Sequence, residues 1–251
     1  MKTDWQSLLP PIRGVLPGGA PLRRTEPSGR PDARILILGV YPAATRVGRQ
    51  TVGGVPMVLP VEVEAESFDP ASASGAEINE NYLAPLGLSR LDVLITDLVP
   101  YFLANTSVSS SGRCMADNIR LYEAAAAATT GIGPRPPGEE LIQLARALPG
   151  NIDRLTEVFQ RSRPSLLLTL GVEPAAFVRE LAFRPASRDV DRLLYAAPVD
   201  VEVCGVRTTV VHLVHPHLFI KQDAKWTGRH RDWCAGQGRE LAQVARGSKR
   251  P

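Results

Sequence analysis

The chain has few cysteines, few aromatic residues and almost no excess charge, and these shortages narrow the possible protein classes. Its 251 residues include three cysteines, Cys114, Cys204 and Cys234, which are widely spaced and form no Cys-x-x-Cys pair. This spacing favours neither a disulfide framework nor a zinc knuckle. Lysine and arginine number 29 against 26 acidic residues, so the formal charge of +3 does not by itself indicate a nucleic-acid or membrane partner.

Long hydrophobic runs are also missing. The longest strongly apolar runs cover residues 35–40 and 166–172, far below the ~20 residues needed to cross a bilayer. Residues 1–5 have no apolar core before the first prolines, which argues against a secretory signal. We therefore expect a cytoplasmic protein without membrane contact, and a hydrophobic share of 44% is enough to build one large domain.

Prolines and glycines divide the chain into three predicted parts. Residues 1–33 contain several Pro and Gly pairs that prevent long regular elements, so we expect an extended lead-in packed on the domain. A single domain is predicted for residues 34–245, followed by a basic tail at 246–251. Within the domain, the Gly-, Pro- and Ser-rich stretch at 47–74 predicts an irregular loop with a short edge strand at 61–64.

Four core strands alternate with helices in the predicted domain. Continuous apolar runs predict strands at 34–39, 91–98 and 165–170, as is typical of a parallel sheet covered on both faces. Residues 199–203 and 208–214 predict a hairpin whose second arm is the fourth core strand. Helices are predicted at 75–86, 115–128, 139–148, 151–160, 174–181 and 231–245. This order predicts a three-layer α/β/α sandwich around a mostly parallel four-stranded sheet.

The residues after each core strand are the first candidates for a functional site, because open parallel sheets bind ligands beyond the carboxyl ends of their strands. Glycine lets the backbone approach a ligand, proline stiffens a loop, and polar side chains supply chemistry. All three kinds occur there, in the segments Gly39-Val40-Tyr41-Pro42, Thr96-Asp97, Gly171-Val172-Glu173-Pro174 and His215-Pro216-His217. We expect the polar side chains of these loops to converge on one rim.

These segments, in this order, resemble the motifs of the uracil-DNA glycosylase superfamily. That family has a Gly-x-[Asp/Asn/Ala]-Pro loop after its first strand and a [His/Asn]-Pro-Ser loop after its last. Gly39-Val40-Tyr41-Pro42 is similar to the first motif and His215-Pro216 to the last, and residues 95–98 and 168–171 are similar to the strand ends between them. The resemblance covers roughly residues 33–245 and implies a uracil-DNA glycosylase-like fold. The four-cysteine pattern of some relatives is missing, so no iron–sulfur cluster is expected.

The resemblance also implies roles for individual residues. In the family, the first loop positions a water, the strand-end residue reads the edge of an extruded base, an aromatic ring stacks on that base, and the last histidine stabilises the departing base. The candidate catalytic residues are therefore Tyr41, Asp97 and His215. The candidate substrate-binding residues are Gly39, Val40, Pro42, Phe68, Asp97 and His217. Phe68 matches the stacking ring by composition only, and core packing is the alternative for it.

Three residues depart from the family pattern. Tyr41 stands where Asp or Asn would hold the water, and a phenol with an ordinary pKa near ~10 is a poor base at neutral pH. Asp97 stands where Asn reads uracil, and an ionised carboxylate can only accept hydrogen bonds, which favours an exocyclic amino group. Asp97 is alternatively the group that activates the water. His217 replaces the serine of the last motif.

Basic residues near these motifs predict contacts with DNA. A basic cluster with an aromatic ring beside a pocket supplies phosphate contacts and one stacking or wedge residue. The candidates are Arg46, Arg49, Lys221, Lys225 and Arg229 for phosphates, Trp226 for stacking, and Leu218 and Phe219 as wedges. His212, His215 and His217 lie close together in the sequence, but no cysteine or carboxylate lies at ligand spacing nearby, so neither a metal nor a cofactor is expected.

Two functions from different classes remain open. The first is a DNA glycosylase-like enzyme acting in base excision repair, which extrudes a deaminated or modified base from single- or double-stranded DNA and hydrolyses its N-glycosidic bond. The second is a non-catalytic module on the same scaffold that binds nucleic acid or a nucleobase. Neither a Gly-x-Ser-x-Gly nor a Walker motif occurs, so an unrelated hydrolase or nucleotide-binding domain ranks third. In each case we expect a monomer.

Overall fold

The central feature of the fold is a sheet whose inner strands are parallel. The computed structural model describes residues 22–42, 46–62, 66–106, 114–126, 129–182, 189–220 and 223–247. Within these residues the strands are β1 (Ser28–Gly29), β2 (Ile35–Gly39), β3 (Arg46–Val52), β4 (Val55–Glu62), β5 (Val93–Asp97), β6 (Leu103–Ala104), β7 (Gly133–Pro134), β8 (Leu166–Leu170), β9 (Val199–Val203) and β10 (Val206–Leu213). The sheet has six strands in the order β1-β5-β2-β8-β10-β9.

The inner strands β5, β2, β8 and β10 are the four predicted core strands. β2, β5 and β8 are buried at every position, which explains their continuous apolar runs. Their side chains alternate between two core clusters, so that Leu36 and Leu38 enter the first and Ile35 and Ile37 the second. The predicted α/β class with a mostly parallel sheet is therefore confirmed.

Two antiparallel edge strands raise the number of strands from the predicted four to six. β9 pairs with β10 as the first arm of the predicted hairpin, and alternate positions of β9 face solvent. β1 pairs with β5 and lies in the predicted lead-in. Two residues within a Pro- and Gly-rich segment carry no hydrophobic periodicity, so this strand has no signature in the sequence.

Helices cover both faces of the sheet. They are α1 (Ala73–Glu77), which continues as a π-helical turn (Ile78–Leu83) and a 3-10 turn (Ala84–Leu86), then α2 (Met115–Ala126), α3 (Gly138–Ala147), α4 (Asn151–Ser162), α5 (Val172–Leu181), α6 (Val190–Leu193), α7 (His217–Ile220), α8 (Ala224–Trp233), a second π-helical turn (Cys234–Gly238) and α9 (Arg239–Gly247). α3, α4 and α5 pack on the first core cluster, whereas the turn after α1, α8 and α9 pack on the second. Among the described residues, no helix is both long and apolar enough to cross a bilayer.

The segment after β2 differs from the prediction of an irregular loop. β3 and β4 form an antiparallel hairpin that is separate from the central sheet. Its turn contains Gly53 and Gly54 at φ +57° and +79°, and a two-residue turn with both residues at positive φ matches the twist of a hairpin. The glycines that favoured a loop therefore build a tight turn between two strands.

The end of the domain also differs from the prediction. The last helical region begins at Ala224 rather than at 231, and a π-helical turn divides it. Arg246 and Gly247 are the last residues of α9 rather than part of a tail. Arg246 donates a hydrogen bond to the carbonyl of Gly87 (3.0 Å), which ties this helix end to the domain. Residues 248–251 and most of the predicted lead-in lie outside the described residues.

Candidate functional site

The candidate site lies at the carboxyl ends of the parallel strands. β2 is flanked by β5 on one side and by β8 on the other, so the order of strands reverses at β2. Open α/β sheets form a ligand crevice at such a reversal. Gly39 ends β2, and Asp97 ends β5. Gly171 directly follows β8, and His215 follows β10.

Gly39, Asp97 and Phe68 are in direct contact at this edge. Gly39 and Asp97 are partners across β2 and β5. A Cβ atom on Gly39 would lie closer than 3.0 Å both to Oδ1 of Asp97 and to Cε2 of Phe68. Because Gly39 has no side chain, the buried carboxylate of Asp97 and the ring of Phe68 can approach each other over the end of β2.

Phe68 is held in place by its backbone. Its φ of +53° is uncommon for a residue with a side chain, and such strain persists only where the surroundings fix it. The Arg90 guanidinium donates to the Phe68 carbonyl (2.6 Å) and to the Gly75 carbonyl (3.2 Å). A Cβ on Gly75 would lie 2.6 Å from the Phe68 carbonyl oxygen. The ring is buried in the second core cluster, as the core-packing alternative predicts. Its edge also lies beside Asp97 at the strand end, and its role in stacking on a base stays a prediction.

The first and last motif loops meet at Gly171. Gly171 has φ +103°, which favours glycine, and its N–H donates to the carbonyl of Leu213 (2.8 Å). A Cβ at this position would lie 3.5 Å from Cγ2 of Val40 and 3.7 Å from Cβ of His215. The loops after β2, β8 and β10 therefore come together beside the end of β2.

His215 is a neutral hydrogen-bond donor at this edge. Its ring centroid lies 6.1 Å from that of Phe68. The His217 N–H donates to Nδ1 of His215 (3.2 Å), so the ring proton is on Nε2. Burial lowers the pKa of His215 to about 4, and the nearby charges of His217 and Arg135 act in the same direction. At neutral pH the ring is therefore uncharged and can donate from Nε2.

Tyr41 lies beside an ion pair that sequence reasoning missed. The Tyr41 ring is half-buried against the first core cluster, and the Arg135 guanidinium lies 5.5 Å from its centroid. Arg135 Nη2 donates to Oε1 of Glu173 (3.2 Å). Burial raises the pKa of Tyr41 above its ordinary value, so the hydroxyl keeps its proton at neutral pH. Arg135 lies in the Pro-rich segment before α3, where no periodicity marks it.

A buried arginine fixes the end of β5. Arg154 of α4 donates to Oγ1 of Thr96 (2.9 Å) and to the carbonyl of Asp97 (2.7 Å). It also donates to Oδ1 of Asn151 (3.0 Å). Val40 and Pro42 are buried, and the Val40 carbonyl accepts the N–H of Val99 (2.9 Å). The backbone that carries Gly39 and Asp97 is therefore held from two sides.

The predicted DNA-contacting residues fall into separate groups. Arg46 and Arg49 lie on β3 of the separate hairpin, and Lys221 lies outside the described residues. On α8 the Lys225 ammonium lies 4.9 Å and the Arg229 guanidinium 5.6 Å from the Trp226 ring centroid. α8 therefore presents two cations around one indole.

The two wedge candidates differ in exposure. Leu218 is half-buried, whereas only 8% of Phe219 is exposed. The Phe219 ring packs edge-on to Tyr82 (5.7 Å between centroids) and His230 (5.2 Å). Phe219 is thus a core residue in this structure, because α7 directs its apolar ring into the protein interior. His217, the first residue of α7, is exposed.

The histidines at positions 212, 215 and 217 are not gathered around one point. Nδ1 of His212 lies 2.7 Å from Oγ1 of Thr169 in a buried hydrogen bond, whereas His215 stands at the sheet edge. Within the part of the chain that the structure describes, no group of three His, Cys, Asp or Glu side chains is placed to hold a metal ion.

Comparison with known proteins assigns no family to the chain. No protein-family model and no curated protein sequence matches it. The resemblance to the uracil-DNA glycosylase superfamily therefore rests on the loop motifs, and the function has to be argued from the side chains at the sheet edge.

Proposed function

We propose that the protein is a DNA glycosylase-like enzyme that takes an extruded base into the site over Gly39. The observation that carries the proposal is the grouping of Phe68, Asp97 and His215 at the reversal of strand order. An aromatic ring, a buried carboxylate and a neutral imidazole donor supply a stacking face, a hydrogen-bond acceptor and a leaving-group donor. An enzyme that excises a base lifted out of the stack requires these three functions.

Each of the three side chains has a distinct role in the proposed hydrolysis. The base stacks on Phe68, and the Asp97 carboxylate accepts a hydrogen bond from an amino or ring N–H group of the base. As the bond between the base and C1′ of the sugar breaks, the electron pair moves to the base. The Nε2–H of His215 donates to the developing anion. Water then adds to C1′ and loses a proton, which neutralises the base anion. The products are a free base and an abasic site.

The state of Tyr41 favours a dissociative course for this reaction. The hydroxyl keeps its proton because burial raises its pKa, so it does not serve as a general base for water. Bond breakage then precedes water attack, and the negative charge of Asp97 stabilises the sugar cation. DNA would follow α8, where Lys225 and Arg229 offer phosphate contacts and Trp226 offers a stacking surface.

The protonated Tyr41 also favours a second candidate function. A site that stacks and reads a base without a general base binds it without hydrolysis. The second candidate is therefore a non-catalytic module that holds an extruded base or a single strand. Both candidates require Phe68 and Asp97, but only the enzyme requires the leaving-group donor His215.

The experiment is incubation of the purified protein with labelled oligonucleotides that carry uracil, hypoxanthine, xanthine, cytosine or alkylated bases, single- and double-stranded. Alkali-labile sites are scored for the wild type, His215→Ala and the control His212→Ala, which removes the β10 histidine that is hydrogen-bonded to Thr169. We expect cleavage at one base, reduced about 100-fold or more in His215→Ala and retained in the control. Salt-sensitive binding with no cleavage would favour the second candidate, and neither binding nor cleavage would reject both.

A further inference from the structure

Val214, the residue that precedes His215, is held by two tyrosine hydroxyls. The Tyr82 hydroxyl donates to the carbonyl of Val214 (2.6 Å), and the N–H of Val214 donates to the hydroxyl oxygen of Tyr195 (3.4 Å). Val214 itself is fully buried. Both polar backbone atoms of this residue are therefore satisfied by side chains from other elements, which sets the direction in which the chain enters His215.

The Tyr195 hydroxyl is itself oriented by a buried histidine. Tyr195 Oη lies 2.8 Å from Nδ1 of His230, and Nε2 of His230 lies 2.8 Å from the carbonyl of Asn81. A carbonyl only accepts, so Nε2 carries the ring proton and Nδ1 accepts the hydroxyl proton of Tyr195. Burial lowers the pKa of His230 to about 4, which keeps the ring neutral. The hydrogen bonds thus run in one direction from Val214 through Tyr195 and His230 to Asn81.

The backbone and ring of Tyr195 connect this chain of hydrogen bonds to α8. Tyr195 has φ +58°, a strained value for a residue with a side chain, and its N–H donates to the carbonyl of His212 (2.8 Å). On its other side the ring stacks with Trp226 (6.3 Å between centroids), and the Arg229 guanidinium lies 5.6 Å from the ring centroid. One side chain therefore touches both the loop that carries His215 and the helix proposed to contact DNA.

We propose that Tyr195 is a positioning residue that orients His215 through the backbone of Val214 and joins that backbone to α8. The hydroxyl sets the orientation, and the ring makes the connection to the helix. The catalytic consequence rests on the proposed function, whereas the orientation of His215 is a property of the folded chain. Sequence reasoning missed Tyr195 because it follows a short helix and belongs to none of the motif loops.

The test is Tyr195→Phe, which keeps the stacked ring and removes the hydroxyl. If the protein is a glycosylase, kcat falls at least fivefold, whereas Kd for single-stranded DNA stays within twofold because the contacts with Trp226 and Arg229 remain. Nitrogen-15 NMR of the histidine rings gives a readout without substrate. We expect the wild-type His215 signals to be those of a neutral ring with its proton on Nε2. In the variant we expect them to shift or broaden, while those of His212 do not.

Two further variants separate positioning from general loss of stability. Tyr101→Phe removes another fully buried hydroxyl, which belongs to the first core cluster, and leaves the His215 signals unchanged. Tyr82→Phe removes the hydroxyl that donates to the Val214 carbonyl, and we expect it to move the same His215 signals. Unchanged His215 signals in Tyr195→Phe, with cooperative melting retained, would overturn the proposal, whatever the result for Tyr82→Phe. An inactive wild type would reject the proposed enzyme, but the NMR comparison would still decide the role of Tyr195.

Discussion

Gly39 is the residue on which the geometry of the candidate site depends most directly. Asp97 and Phe68 occupy the space that any side chain at this position would need. Neither side chain can move aside easily, because Asp97 ends a buried strand and the backbone of Phe68 is held by Arg90. A larger residue at position 39 therefore has to displace both, which changes the site and strains the end of β2.

The first prediction at this scale concerns Gly39→Ala. We expect it to lower the free energy of unfolding by about 1–3 kcal/mol through overpacking, and to abolish cleavage or base binding because Asp97 and Phe68 are displaced. Urea unfolding and the oligonucleotide assay measure the two effects. Gly228→Ala is the control, since a Cβ there meets nothing within 4 Å, and we expect it to stabilise α8 by up to about 1 kcal/mol. Equal effects of the two substitutions would contradict the prediction.

At the scale of elements, α4 supports the site from the face of the sheet opposite Phe68. α4 packs on the first core cluster, whereas Phe68 belongs to the second. Arg154 extends from this helix to the end of β5, and it is 2% exposed. Its guanidinium hydrogen bonds hold the carbonyl of Asp97 and the hydroxyl of Thr96. The helix thus both covers the core and determines where the strand ends.

The prediction at this scale compares two arginines of α4. Arg154→Met leaves buried acceptors without their donor and removes the positive charge near Asp97, so we expect a loss of about 3–5 kcal/mol in the free energy of unfolding. Arg161→Met removes an exposed ion pair with Glu157 on the same helix, and we expect less than about 1 kcal/mol. Urea unfolding followed by circular dichroism measures both. Similar losses for the two variants would show that Arg154 has no special structural role.

At the scale of the whole molecule, three histidines make stability depend on pH. Burial lowers the pKa of His212, His215 and His230 to about 4, below the ordinary value near ~6.5 of an unfolded chain. Between these pH values the unfolded chain binds protons that the folded protein does not. Stability therefore falls as the pH decreases from about 6.5 toward 4, and these groups contribute no pH dependence well above 6.5.

The corresponding prediction is a pH-dependent unfolding curve. We expect the urea midpoint to be constant between pH 7.5 and 8.5 and to fall steadily between pH 6.5 and 5, as unfolding takes up as many as three protons through these histidines. Above pH 5 most carboxylates remain ionised, so the histidines dominate this interval. Replacing His230 by Gln should reduce the slope of the midpoint against pH. A midpoint independent of pH from 7.5 to 5 would contradict the assignment of neutral buried rings.

The parallel core and part of the site follow from local sequence pattern. Continuous apolar runs produce β2, β5 and β8 because strands buried on both faces are mostly hydrophobic rather than alternating in polarity. Side chains two residues apart lie on the same face of a strand, so Gly39 shares a face with Ile35 and Ile37, and Asp97 shares a face with Val93 and Ile95. The proximity of Gly39 and Asp97 is thus already contained in the order and periodicity of the strands.

The rest of the site was decided by long-range packing. Phe68, Arg135 and Tyr195 come from irregular segments and reach the site through a positive φ, an ion pair or a buried hydrogen bond. No periodic pattern marks such residues, because their positions depend on contacts with parts of the chain that are far away in sequence. Local hydrophobic order therefore determined the sheet and the edge at which a ligand would bind. Tertiary contacts alone place the Phe68 ring over Gly39 and the Tyr195 hydroxyl against the backbone of Val214, before His215.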